Sequence, residues 1–157
     1  MSDKEEPNLK LHFSESFVSD DTGLRGEIYN EDAFKQPMLF SGMTYERNIS
    51  PSDWDFFLEF NGNLFFYGEG KKAPKDLTTG QRRSIEHTCN SHDKSSHIAI
   101  GFFFQHEVPA PKPVYVKDQS VTKYYWKGYW HYTNPKPTVA EFIDKVISWC
   151  KKKGIEL

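Results

Sequence analysis

A chain of 157 residues with 37% hydrophobic content has material for one core rather than two. A net charge of −2 argues against an indiscriminate polyanion binder. No apolar run approaches the roughly 18–20 residues that a membrane-spanning helix needs.

Residues 1–12 are polar and charged and contain Pro7, the composition of a flexible terminal segment, and 13–157 are expected to form a single domain. The acidic start, MSDKEEPNLK, lacks the basic-then-apolar pattern of a secretory signal, which points to the cytoplasm. Residues 13–35 show no clean period. The Asp20-Asp21-Thr22-Gly23 cluster reads as a turn, and a short helix fits near 31–35. Residues 36–50 read as an irregular connection around Pro37 and Gly42.

The stretch from Pro51 to Lys72 is the most informative. Pro51 holds its predecessor extended and favours the start of a strand. Two aromatic-rich runs, Phe56 to Phe60 and Leu64 to Tyr67, flank Asn61-Gly62-Asn63, a hairpin signal because Asn and Gly accept the positive φ of a tight turn. Folding the hairpin carries Asp55, which opens its first strand, to the same end as Glu69-Gly70-Lys71, which closes the second. Glu69 and Lys71 are two apart, so on a strand both leave one face. Two carboxylates beside a lysine suit a hard divalent cation, which prefers oxygen ligands.

Residues 76–89 are expected to form a helix capped by Thr78 or Thr79. Leu77, Gln81, Ile85 and Cys89 recur every four residues, which lays Gln81 on the stripe facing the sheet, where it needs a hydrogen-bonding partner. His97 to Phe104 is a near-continuous apolar run, as for a central strand covered on both faces. His106, at its end, reads as a solvent-exposed histidine before it reads as a site residue. Between 123 and 132, Tyr124, Tyr125, Trp126, Tyr129, Trp130 and Tyr132 interleave with Lys123 and Lys127. Such rings can stack exposed bases, but packing on an aromatic core under lysine stems is favoured, since aromatics are 16% of the chain. Thr138-Val139-Ala140-Glu141 is a capping box, and Val139, Phe142, Ile143, Val146, Ile147 and Cys150 form an apolar face, so a last helix docks on the sheet. Lys151 to Lys153 suit its negative end and Gly154 stops it. Cys89 and Cys150 belong to no CxxC pair and each lies on a helix's apolar stripe, so both are expected as buried structural thiols.

An Asp, a short hairpin and then Glu-x-Lys resembles the core of the PD-(D/E)xK nuclease superfamily, which includes restriction endonucleases, Holliday junction resolvases and many phage nucleases. The leading Pro-Asp is loosened here to Pro51-Ser52-Asp53-Trp54-Asp55, so Asp55 matches better and Asp53 is the second choice of ligand. Glu69-Gly70-Lys71 is the only acid-x-Lys triplet in the chain, and the likeness covers residues 50–105. The resemblance implies an α/β fold with a restriction-endonuclease-like mixed sheet flanked by helices. It implies hydrolysis of DNA phosphodiesters with Mg²⁺ or Mn²⁺ held by Asp55, Glu69 and the Gly70 carbonyl. Lys71 would then orient a water or offset charge on the phosphate, with Gln81 in support. Many members carry one more Glu on an N-terminal helix, for which Glu27, Glu31 and Glu46 are the candidates. Lys72, Arg82, Arg83 and Lys123 are the expected DNA contacts. A homodimer is compatible with this reading, and a phage-borne chain would work in the host cytoplasm. The alternative is a catalytically inactive nucleic-acid- or protein-binding module on the same fold.

Charge is uneven in a way that suits either version. Residues 1–34 hold three basic and nine acidic side chains, whereas 71–127 hold ten basic and five acidic ones, placing the positive excess around the suspected site, as a phosphate-binding face requires.

Overall fold

The structure is a computed structural model that describes residues 54–93, 95–110 and 112–157. The expectations placed on the first 53 residues, among them the flexible 1–12 segment, Glu27, Glu31, Glu46 and Asp53, lie outside the described residues.

Among the described residues, five strands and two helices follow one another as β1 (Phe56–Phe60), β2 (Leu64–Lys72), α1 (Thr79–His92), β3 (Ile98–His106), β4 (Ser120–Trp126), β5 (Tyr129–Tyr132) and α2 (Val139–Lys152), with a 3-10 turn at Val116–Asp118 before β4. The strands form one sheet in sequence order. β2 and β3 run parallel and every other neighbouring pair is antiparallel. A parallel pair cannot be joined by a tight turn, and α1 supplies the crossover.

Two hairpins bracket that crossover, and both have the same local cause. Asn61 and Gly62 take φ of 48° and 70°, and the Asn63 amide donates to the Phe60 carbonyl at 2.8 Å. Lys127 and Gly128 take 47° and 85° between Trp126 and Tyr129. Two consecutive left-handed residues make the turn whose twist matches that of the flanking strands. The second hairpin accounts for the aromatic segment: its rings alternate across β4, with Tyr125 buried and Tyr124 and Trp126 packed on the opposite side of the sheet.

The two helices cover the two faces. Ile85 and Cys89 of α1 pack with Tyr67, Ala99 and Tyr125, while Val139, Phe142 and Cys150 of α2 pack with Leu64, Phe66, Phe102 and Phe104. Burying a ring or a branched aliphatic stabilises by about 1.5–3 kcal/mol, and β3, buried from Ala99 to Phe104, is the strand both layers share. This is an α/β fold with a mixed sheet flanked by helices. Thr78 and Thr138 begin the helices with complete capping boxes, reciprocated by Gln81 and Glu141, and Gly154 beyond α2 has φ 74°. Both cysteines are free and buried.

The β3–β4 ladder carries one irregularity. Phe103 lies opposite Lys123 but Phe104 lies opposite Val121, so Thr122 is an extra residue on β4. Such a bulge reverses which face the side chains beyond it occupy. Val121 therefore enters the α2-side cluster, and Lys123 turns toward α1.

Candidate active site

Alternation along β2 sends Tyr67, Glu69 and Lys71 to the α1 face and leaves Gly68 and Gly70 on the other, where the rings of Phe102 and Phe104 lie across the space a side chain would take. Glu69 is only 3% exposed. Its Oε2 accepts a hydrogen bond from Gln81 Nε2 at 2.8 Å. The same Gln81 amide uses its Oε1 to accept from the Thr78 amide at 3.2 Å, so one side chain ties the start of α1 to the carboxylate. Lys71 is half-buried.

Asp55 stands one residue before β1. Phe56 pairs with Gly68, so continuing the antiparallel register by one step sets Asp55 opposite Glu69. The Asp55 carboxylate accepts the Gly70 amide at 2.8 Å through Oδ2, where β1 no longer supplies a backbone acceptor. The Gly70 carbonyl points to the same side as its amide, past the last pair of the β1–β2 ladder. Asp55, Glu69, Gly70, Lys71 and Gln81 are thus brought to one corner of the sheet. Among the described residues no three His, Cys, Asp or Glu side chains converge; the oxygen donors at this corner are two carboxylates and one carbonyl. That set matches a small hard cation that keeps several waters and takes one or two carboxylates.

The basic residues fall differently. Lys72 and Arg83 are exposed. Arg82 is also exposed, but its Nε donates to Glu86 at 2.9 Å and its guanidinium lies 5.8 Å from the Trp130 ring. Trp130 Nε1 donates to the same Glu86 oxygen at 2.7 Å. Lys123 corrects the sequence reading: it is 7% exposed, and its ammonium donates to Asp76 Oδ1 at 2.7 Å. It sits 5.3 Å from the Phe103 ring, 5.5 Å from Trp130 and 6.0 Å from Tyr132. An ammonium so enclosed is not presented to a phosphate. The Lys123 hydrogen bond holds the Asp76 carboxyl below its usual range. His106 also departs from expectation, being half-buried with Nδ1 enclosed and without a hydrogen-bond partner among the described residues.

The sequence reading missed the Asp76–Lys123 pair and favoured packing for Tyr132, which is exposed. The signal was Trp126-Lys127-Gly128-Tyr129, a two-residue hairpin turn with Gly second, which would have set Lys123 opposite Tyr132. Comparison with family models, with curated proteins and with solved structures finds no match.

Proposed function

We propose that this chain is a divalent-metal-dependent nuclease of the PD-(D/E)xK type that hydrolyses DNA phosphodiester bonds. The observation that carries the reading is the shared corner of Asp55, Glu69, the Gly70 carbonyl and Lys71, with Gln81 bonded to Glu69 at 2.8 Å. Asp55, Glu69 and the Gly70 carbonyl would hold Mg²⁺ or Mn²⁺, which supplies Lewis acidity toward phosphate and a water of lowered pKa. The rest of the work falls to the protein. Gln81 and the Gly70 amide each donate to one carboxylate, so the two acids keep their orientation without reorganising during the reaction. Lys71, leaving the same face of β2 as Glu69, offsets negative charge that grows on the phosphate oxygens.

The test is incubation of linear, circular, single-stranded and four-way-junction DNA with Mg²⁺ or Mn²⁺, with wild type beside Glu69→Ala and Lys71→Ala. Cleavage that needs metal and falls about 10²–10³-fold or more in both variants is the expected result. Equal activity in all three proteins would mean that the site is elsewhere.

One observation favours a second reading, a nucleic-acid- or protein-binding module without catalysis. Asp55 already has a structural task, satisfying the Gly70 amide at the end of the ladder. That reading expects no metal-dependent cleavage, and nucleic-acid binding that survives Lys71→Ala.

A further inference from the structure

Pairing across the sheet aligns one row of side chains over four strands: Glu69 opposite Phe103, Phe103 opposite Lys123, Lys123 opposite Tyr132. Three interstrand steps of about 4.8 Å place Tyr132 about 14 Å from Glu69. Beside this row opens a cavity of about 260 Å³, bordered by Asp76, Phe103, Gln105, Lys123, Tyr132 and Lys136. Gln105 is in turn opposite Lys71, so the cavity adjoins the corner of acids and lysine.

Its chemistry narrows what can enter. Tyr132 is 80% exposed, carried on a four-residue edge strand that the Lys127-Gly128 turn fixes in place. An open aromatic face is a stacking platform. The Lys123–Asp76 pair beneath offsets its own charge, so the floor does not repel an anion, and Lys136 stands exposed on the rim. The volume lies below the roughly 300–1,000 Å³ of a drug-sized pocket, room for one ring system and its phosphate and not for a duplex. Bases inside a duplex have both faces covered, whereas an unpaired base offers a face to an aromatic side chain.

We propose that this cavity takes an unpaired base of the DNA strand, stacked on Tyr132 with its phosphate at Lys136, and that the protein therefore acts on single-stranded DNA; the inference rests on the nuclease reading and names its substrate class. The experiment measures kcat and KM with Mg²⁺ on a labelled single strand and on the blunt duplex of the same sequence. Wild type, Tyr132→Ala, Tyr132→Phe and Lys136→Ala are compared, and the same single strand is titrated by fluorescence anisotropy in EDTA. Wild type is expected to prefer the single strand at least about tenfold. Tyr132→Ala should raise KM for it roughly tenfold, as one stacked base is worth, with kcat unchanged and with Tyr132→Phe restoring it. Lys136→Ala should raise the same KM and flatten its salt dependence. An unchanged KM in Tyr132→Ala, or duplex cleaved as well as single strand, overturns the proposal. If no protein cleaves anything, the nuclease reading fails by itself. The anisotropy then decides the cavity: weaker binding by Tyr132→Ala than by Tyr132→Phe upholds it, and equal or absent binding ends it.

Discussion

Lys123 is held by one carboxylate and three rings, and the asymmetry of that arrangement predicts how it fails. Removing Asp76 leaves a 7% exposed ammonium with no hydrogen-bonding counter-charge. A fully buried pair broken in this way costs about 3–5 kcal/mol. The Asp76 side chain is 64% exposed, so water screens part of the loss and Asp76→Ala should cost about 1–3 kcal/mol. Lys123→Met removes the charge and keeps the length, and should cost less than Asp76→Ala. Urea unfolding of the two variants checks the order, and the reverse order would mean that packing, not charge, holds the site. Because the Asp76 carboxyl is held below its usual 3.8, this contribution is present above that pH and is lost as pH falls through the lower, folded value. The pair was hidden from the sequence for a definite reason. The second hairpin turn sets Lys123 opposite Tyr132, but nothing in the sequence brings Asp76, before α1, to that ammonium, and nothing in Ser120-Val121-Thr122-Lys123 announces the extra residue that sends Val121 to the other face.

Among the elements, α1 packs tightly on the sheet at Gly101, where an added Cβ would run into Ile85 Cγ2. Ile85 is fully buried and Gly101 lies on the central strand, so neither side yields easily. Gly101→Ala should therefore destabilise by about 1–3 kcal/mol. In an Ile85→Ala background the obstructing methyl is gone, and the same glycine substitution should cost measurably less. A double-mutant cycle on thermal or urea unfolding reads that coupling, and strict additivity would place the strain elsewhere. The elements themselves were legible: the Asn61-Gly62 hairpin, the apolar run of β3, and the capping box and apolar stripe of α2 all fold as the pattern indicates. Gln81 shows why a site is harder to read than an element. It completes the Thr78 capping box and it also bonds Glu69, so its spacing fits a structural and a functional reading equally, and only the register of α1 against β2 brings both about.

At the scale of the whole molecule, the parallel pair at the centre of the sheet has two unlike ends. The carboxyl ends of β2 and β3, where ligands of open α/β sheets tend to bind, carry the Glu69–Lys71 corner. The other end carries an imidazole cluster, with His92 hydrogen-bonded to the Tyr67 hydroxyl at 3.1 Å, its ring 4.5 Å from Phe65 and 6.1 Å from His97. Burial, and then the neighbouring His97, push the His92 pKa below the ordinary 6.5, against a smaller opposing pull from Asp93. The unfolded chain then takes up the proton first, so stability is full above pH 6.5 and declines as pH falls through the folded value. The melting temperature should accordingly drop between pH 7.5 and pH 5, and His92→Phe, which keeps the ring contact with Phe65 and cannot be protonated, should flatten that drop. On the nuclease reading proposed above, activity offers a separate check, because Phe65 and His97 of the cluster lie at the opposite end of the parallel pair from Glu69 and Lys71. If acid inactivation comes from this cluster, His92→Phe will extend activity to lower pH. If it does not, the variant will keep the wild-type pH profile while its melting curve flattens.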